Sequence, residues 1–175
     1  MYSKLKHHPV MVDEVLSYLA PDKSKTYVDC TFGQGGYCRK ILEKTKCNII
    51  AIDRDKDAKK YAQLIKKEYP KNFIFCINNF SRLDYVLKKN DIKKIDGLIF
   101  DLGISNTQLN NPTRGFSFSN NGPLDMRMDV ENLNLTAQKI INEYDQHNLS
   151  DIFYFYGEER NSKKIANKII EFRKK

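Results

Sequence analysis

Short apolar runs alternate with amphipathic stretches along the first part of the chain. Four runs rich in Ile, Val, Phe and Tyr have the length of buried β-strands, and they lie at 27–32, 49–53, 73–77 and 95–102. Helical spacing fills the gaps, at 11–19, 36–46 and 56–69. A further helix opens at Asn79-Phe80-Ser81, where Ser81 is the predicted N-cap.

Strands that alternate with helices of roughly 10 to 15 residues predict an α/β fold with a parallel sheet and right-handed crossovers. We expect the first strand in the centre, the second and third on one side, and the fourth on the other. Ligands of such sheets bind beyond the carboxyl ends of the strands, so the strand ends should share one pocket. With four strand candidates in the chain, the outer edge of the fourth stays unpaired, and we expect self-association through it.

The pattern changes after the fourth strand. Residues 103–129 are rich in Asn, Ser, Gly and Pro, and they predict a long loop without secondary structure. Aromatic and Met side chains within the loop favour an ordered substrate loop over a disordered segment. Helical patterns follow at 136–144, 149–156 and 159–172.

Composition narrows the class of protein. With 175 residues, 41% hydrophobic and 30% charged, the chain resembles a globular domain. No apolar run approaches the ~20 residues of a membrane span, and the N-terminal residues lack an apolar signal core, so we expect a cytoplasmic protein with no membrane partner. The net charge of +8 fits a nucleic-acid partner and fits a lysine-rich genome equally well. The spacing of the cysteines predicts neither a metal site nor a disulfide.

A glycine-rich turn follows the first strand and carries the strongest chemical signal. Gly33, Gly35 and Gly36 allow backbone conformations that a Cβ would forbid, and they let a ligand approach bare amides at a helix N-terminus. A tight strand-to-helix turn is the alternative interpretation. Asp53 lies seventeen residues after Gly36 and ends the second strand. This is about the spacing at which a carboxylate meets ribose hydroxyls, although such an acid also caps helices.

Two classes of cofactor fit a loop of this kind. A dinucleotide fingerprint has its third glycine where this chain has Cys38, which disfavours a nicotinamide-dependent oxidoreductase. The segment from Asp29 to Gly35 instead resembles the Asp-Pro-Phe-x-Gly-x-Gly loop of enzymes that methylate exocyclic amines with S-adenosylmethionine (SAM). This likeness implies that Asp29 faces the methionine end of SAM and Asp53 its ribose. Phe80 is a candidate to stack on the adenine, or a hydrophobic staple for its helix.

Seven segments of the chain resemble the bacterial 16S ribosomal RNA cytosine-N4 methyltransferase family. They are Pro9-Val-Met-Val-Asp-Glu-Val, Asp29-Cys-Thr-Phe-Gly-Gln-Gly-Gly, Ala51-Ile-Asp-Arg-Asp, Asp96-Gly-Leu-Ile-Phe-Asp-Leu-Gly-Ile-Ser, Arg114-Gly-Phe-Ser-Phe, Gly122-Pro-Leu-Asp-Met-Arg-Met-Asp and Tyr156-Gly-Glu-Glu-Arg. The resemblance implies SAM as cofactor and 16S ribosomal RNA, or the small ribosomal subunit, as partner. It also implies a Rossmann-like methyltransferase fold, with SAM bound by 1–104 and with a substrate loop and part of a helical insertion in 105–175.

The same resemblance implies a set of SAM contacts. They are Gly35, Gly36, Tyr37, Asp53, Phe80, Asp101 and Gln108, and the loop pattern adds Gly33. Tyr37 stands where the family more commonly has His, and Asn106 where it more commonly has Ser. Family members return after the insertion to finish the sheet, whereas this sequence stops within a helical pattern at 171–175. We therefore expect a truncated chain, for which a non-catalytic RNA-binding piece is the alternative function.

Methylation of cytosine N4 sets a chemical requirement. The lone pair of that amine is delocalised into the ring, so an acceptor must draw on an N4 hydrogen while the sulfonium methyl is held in line. Asp101, or a backbone carbonyl of 102–104, is the candidate acceptor. Asp101-Leu-Gly-Ile stands where many amino methyltransferases have Asn/Asp-Pro-Pro-aromatic.

The long loop supplies candidates for the substrate side. Phe116 and Phe118 are surfaces on which a flipped base can stack, or core anchors of the loop. Two arginines of the loop, Arg114 and Arg127, fit phosphate contacts. Their alternative role is to tie the loop together through its carboxylates, Asp125 and Asp129.

Overall fold

A computed structural model describes residues 9–173. Residues 1–8 and 174–175 lie outside the described residues. Two expectations fall on them in part: the N-terminus without an apolar signal core, and the chain that stops within a helical pattern at 171–175. The chain divides into two compact units, Met1–Asn110 and Asn111–Lys175. The functional division after residue 104 that the sequence suggests stays a prediction.

A parallel sheet forms the centre of the first unit. It contains β1 (Thr26–Asp29), β2 (Asn48–Asp53), β3 (Phe73–Ile77) and β4 (Gly97–Ile99). The strand order is β3-β2-β1-β4, and each neighbouring pair is parallel. The α/β class and the predicted strand order are confirmed.

The helices of the first unit connect and cover these strands. They are α1 (Val12–Leu19), α2 (Gly36–Thr45), α3 (Lys59–Glu68), α4 (Leu83–Lys89) and α5 (Asn106–Leu109). Two 3-10 turns, Lys56–Ala58 and Phe80–Arg82, precede α3 and α4.

Alternate residues of the strands are buried on opposite faces of the sheet, as expected for parallel strands covered on both sides. One face packs with α1, α2 and α3, and its strand residues are Tyr27, Ile49, Ala51, Phe73 and Ile99. The other face packs with Val86 of α4, and its residues include Val28, Cys30, Ile50 and Ile52. This two-sided core holds the carboxyl ends of the strands in place.

Some predicted boundaries need correction. The first and fourth strands were predicted to reach residues 32 and 102, but β1 ends at Asp29 and β4 at Ile99. Ser81 is not an N-cap, because the side chain of Asn79 accepts the Ser81 N–H at 2.9 Å and starts a 3-10 turn there. Asx turns of this kind compete with a direct helix start.

The loop predicted at 103–129 contains secondary structure. Its first part forms α5, whose N-terminus carries a capping box between Ser105 and Gln108. The 3-10 turn Pro112–Arg114 follows. Prediction missed α5 because one helical turn is too short to show an apolar period.

The second unit contains the last helices of the described chain. They are α6 (Ala137–Glu143), α7 (Gln146–Phe155) and α8 (Ser162–Phe172). The hydroxyls of Ser150 and Ser162 lie 3.1 Å apart, where α7 packs on α8. Arg173 donates to the carbonyls of Ile141 and Tyr144, which ties the end of α8 to α6. No helix among residues 9–173 is long and apolar enough to cross a membrane.

Candidate functional site

The candidate residues of the first unit gather where the strands end. The glycine turn follows β1, and Asp53 is the last residue of β2. Phe80 begins the turn after β3, and Asp101 lies just beyond β4. Since the strands are parallel, these segments leave the sheet at the same edge, as predicted.

Asp53 is hydrogen-bonded to the glycine turn. Its Oδ2 accepts the Gly33 N–H at 2.7 Å, and its Oδ1 accepts the Asp55 N–H at 2.9 Å. Burial raises the pKa of Asp53, and these backbone donors oppose that rise. A carboxylate has about four acceptor positions, so the Asp53 carboxylate can accept a further hydrogen bond beyond those from the backbone.

The glycines of the turn face different surroundings. A Cβ on Gly35 (φ +77°) would lie 2.6 Å from the Phe32 ring and 2.7 Å from Ile65, within the core. A Cβ on Gly36 would collide with Pro9. A Cβ on Gly33 (φ +55°) would make only an ordinary van der Waals contact, with the Thr31 carbonyl at 3.9 Å, so packing does not exclude a side chain there.

Asp29 does not face an open site. It is 1% exposed, and its carboxylate accepts hydrogen bonds from the Cys38 thiol and the Thr31 N–H, each at 3.1 Å. Burial raises the pKa of Asp29 to about 6. The expectation that Asp29 meets the methionine end of a cofactor is wrong for this structure, because neighbouring side chains and backbone enclose the carboxylate.

Gln108 is buried and holds α5 against the turn after β2. Its Nε2 donates to Asp55 Oδ2 at 2.7 Å, and its Oε1 accepts the Ser105 N–H at 2.9 Å. Because Asp55 also donates to Asp53, Gln108 reaches the Asp53 carboxylate through one intervening residue. In this structure the amide of Gln108 therefore supports Asp55 and, through it, Asp53, and it does not point to solvent.

A second contact docks α5 on the glycine turn, and no pattern in the sequence predicts it. The Thr107 hydroxyl accepts from Gln34 Nε2 at 3.0 Å and lies 3.3 Å from the Tyr61 hydroxyl. Polar residues at distant sequence positions carry no periodic signal, so only the folded structure brings them together.

Tyr37 packs inside the unit. Its side chain is 8% exposed, and its hydroxyl donates to the Val10 carbonyl at 2.6 Å. Burial raises the pKa of the Tyr37 phenol. Any contact of this residue with a ligand would therefore involve its backbone at the start of α2 rather than its phenol.

Phe80 forms an aromatic pair with Phe100. The ring centroids are 5.5 Å apart in an edge-to-face arrangement. Both rings remain exposed, Phe80 at 40% and Phe100 at 47%. A flat apolar ligand can therefore reach Phe80, which agrees with a stacking role better than with a buried staple.

The Asp101 side chain is exposed, and its backbone is anchored. The Asp101 N–H donates to the Thr31 hydroxyl at 2.7 Å. Thr31 was not singled out from the sequence.

The arginines of the second unit tie its loop together. Arg127 forms a bidentate pair with Asp125 at 2.9 and 2.7 Å, which lowers the pKa of Asp125. Arg114 donates to the carbonyls of Arg127 and Met128. Phe118 is fully exposed and therefore does not anchor the loop.

The described residues hold no group of three or more His, Cys, Asp or Glu side chains suited to a metal ion. All four cysteines, Cys30, Cys38, Cys47 and Cys76, are free thiols.

A family model and individual relatives of known name both match this chain, and both are methylases. A family model described as the MraW methylase family matches residues 4–175. The chain is 45% identical over 168 residues to ribosomal RNA small subunit methyltransferase H of Rickettsia bellii, covering 96% of this chain and 53% of that protein. It is 41% identical over 169 residues to the protein of that name from Ehrlichia chaffeensis, covering 97% and 57%. The chain thus spans somewhat more than half the length of these relatives.

Solved structures give a weaker likeness. An rRNA methylase from Streptococcus thermophilus matches 57% of each chain at 20% identity, with a TM-score of 0.43. A match of this extent carries no argument about function.

Proposed function

Because the chain belongs to the MraW methylase family, we propose that it acts as a SAM-dependent methyltransferase of small-subunit ribosomal RNA. The methyl acceptor in this proposal is the exocyclic N4 of a cytidine in 16S RNA. The observation that carries the proposal is the family match over residues 4–175, together with the position of the candidate SAM contacts at one edge of the sheet. The relatives' printed names support a small-subunit ribosomal RNA substrate.

In the proposed cofactor site, each part of SAM meets a different segment. The Asp53 carboxylate takes the ribose hydroxyls, and the absence of a side chain at Gly33 allows the ligand to approach the backbone closely. Phe80 stacks on the adenine, using its exposed ring face. Gly35, Gly36, Tyr37 and Gln108 shape this site from within the fold.

Asp101 is the proposed acceptor in the transfer step. Its side chain is exposed at the edge where SAM would bind. Bound SAM would supply the methyl group. A hydrogen bond from N4–H to the Asp101 carboxylate would return electron density to the amine nitrogen, and the N4 proton would pass to this carboxylate or to water. Positioning of the two reactants supplies much of the rate.

The second unit is the proposed substrate side. Phe118 is exposed, so its ring is available to stack on a base of the RNA. The net charge of +8 favours association with RNA phosphates. Arg127 is paired within the loop and is therefore assigned to loop structure. We place the protein in the cytoplasm, where bacterial ribosomes are assembled.

Transfer of a labelled methyl group tests this function. The chain is incubated with SAM that carries a tritiated methyl group and with small ribosomal subunits lacking the modification. We expect label in 16S RNA and N4-methylcytidine after nuclease digestion. Label in another nucleoside would contradict the assigned acceptor.

A non-catalytic RNA-binding role is the second candidate, because the chain spans 53–57% of the length of its relatives. RNA binding without transfer, with transfer restored by the remaining length of a relative, would support it. A nicotinamide-dependent oxidoreductase is a third and disfavoured reading, and binding of NAD without binding of SAM would support that reading instead.

A further inference from the structure

The hydroxyl of Thr31 links the β1 turn to the segment after β4. A backbone hydrogen bond from the Cys30 N–H to the Ile99 carbonyl, at 3.0 Å, joins the segments that follow β1 and end β4. Two residues further on, the Asp101 N–H donates to Thr31 Oγ1 at 2.7 Å. A side chain therefore holds the main chain at a point beyond the end of the strand.

The backbone of Thr31 is itself fixed by a hydrogen bond to a buried side chain. Its N–H donates to Asp29, which is 1% exposed and also accepts from the Cys38 thiol. Thr31 is β-branched, so few χ1 rotamers are open to its hydroxyl. The connection thus runs from a buried carboxylate, through a stiff side chain, to the main chain of Asp101.

We infer that Thr31 is a positioning residue for Asp101, and that its hydroxyl fixes the main chain from which the Asp101 carboxylate reaches the cofactor and the acceptor amine. This inference rests on the proposed function, which gives Asp101 its ligand. It assigns a role to a residue that touches neither SAM nor RNA in the proposed site.

Two substitutions separate the hydroxyl from the shape of the side chain. Thr31→Val keeps the branched shape and removes the acceptor, whereas Thr31→Ser keeps the acceptor. We expect Thr31→Val to raise the dissociation constant for SAM about five-fold, the scale of one neutral hydrogen bond. For Thr31→Ser, the dissociation constant for SAM should stay within about two-fold of that of the unmodified chain. Thr45→Val is the matched control, because the Thr45 hydroxyl donates to the Ile41 carbonyl at the end of α2 opposite to the glycine turn.

A double-mutant cycle with Asp101→Ala tests whether Thr31 acts through Asp101. In the Asp101→Ala background, Thr31→Val should cause little further loss of SAM affinity. Full additivity of the two losses would overturn the inference, and so would equal losses in the Val and Ser variants.

Amide exchange distinguishes failure of this inference from failure of the proposed function. If the unmodified chain binds no SAM, the proposed function fails. The exchange rate of the Asp101 amide, followed by NMR on the same samples, still decides the role of Thr31. Faster exchange in Thr31→Val than in Thr31→Ser supports the inference, and equal rates overturn it.

Discussion

At the scale of single residues, the glycines of the β1 turn serve different purposes. Gly35 lies against Phe32 and Ile65, so the absence of its Cβ is required for packing as well as for its positive φ. Gly33 also has a positive φ, but a Cβ there would make only an ordinary contact with the Thr31 carbonyl. A sequence pattern reveals that glycines are present, but it does not reveal which way each missing Cβ would point.

Alanine substitutions separate these roles. Gly35→Ala should lower the free energy of unfolding by roughly 2–5 kcal/mol, because it adds an overpacked methyl group to a strained backbone. Gly33→Ala should cost only about 1–2 kcal/mol of backbone strain and should weaken SAM binding. Urea denaturation and SAM titration of both variants measure this. Equal losses of stability would show that the two positions are not distinguished by packing.

The buried carboxyl of Asp29 predicts a dependence of stability on pH. Its pKa is raised to about 6 by burial, so the folded state binds its proton more tightly than the unfolded state. The resulting stability is fully present below about pH 4 and is lost as pH rises through about 6, a difference of about 3 kcal/mol. Asp29→Asn should remove this component from the unfolding free energies measured between pH 4 and 7.

Asp125 is the control of opposite sign. The hydrogen bonds from Arg127 lower the pKa of Asp125. Its contribution to the free energy of unfolding is therefore present at neutral pH and is lost as pH falls. Asp125→Asn should therefore flatten the acid side of the profile of unfolding free energy against pH.

The Asp29 prediction has its own contradicting outcome. An Asp29→Asn variant whose unfolding free energy varies with pH as in the unmodified chain would show that Asp29 does not cause the pH dependence.

The sequence predicts where the candidate residues lie more reliably than which partners they have. Asp53 and Phe80 lie at strand ends as expected, because parallel strands deliver their carboxyl ends to one edge. Their role in a site stays a prediction. Thr31, Asp55 and Thr107 were missed, since their roles depend on hydrogen bonds between segments far apart in the chain.

At the scale of elements, α5 depends on polar contacts. The helix is four residues long and is held by Gln108 and Thr107 rather than by an apolar face. Isolated helices of this length are unstable in water, so its docking must come from tertiary contacts.

Gln108→Ala should release α5. The substitution removes a donor to Asp55 and an acceptor for the Ser105 N–H, with an expected loss of roughly 2–4 kcal/mol. Hydrogen exchange followed by mass spectrometry should show reduced protection across residues 105–110. Leu109→Ala, a change on the exposed side of α5, is the control and should leave protection unchanged. Equal protection in the two variants would contradict the anchoring role of Gln108.

Element types were predictable from the sequence because long apolar runs and helical spacing leave strong signals. The residues at which the elements begin and end were less predictable. The run predicted as the fourth strand extends to residue 102, but the strand ends at Ile99, and the Thr31 side chain accepts the Asp101 N–H beyond it. Short polar elements such as α5 have no period to detect.

At the scale of the whole molecule, β4 lies at one edge of the sheet. Leu98 and Phe100 remain 42% and 47% exposed there. An unpaired strand edge beside apolar side chains favours association between chains. We therefore predict concentration-dependent self-association of this chain.

Leu98→Lys should reduce that association, because a lysine on an edge strand opposes pairing. Sedimentation equilibrium over a range of concentrations measures the effect. Leu64→Lys is the matched control, since Leu64 is 43% exposed on α3, which packs with β3 at the opposite edge of the sheet. An unmodified chain that stays monomeric throughout the range would contradict the prediction.

The central claim is that the carboxyl edge of the sheet binds SAM through Asp53, and calorimetric titration tests it most directly. We expect the unmodified chain to bind SAM and not NAD. Asp53→Ala should weaken SAM binding at least about ten-fold, because charge-assisted hydrogen bonds to the ribose are lost. Asp84→Ala, on the exposed first turn of α4, should leave the affinity unchanged. A folded Asp53→Ala variant with undiminished SAM affinity would contradict the account.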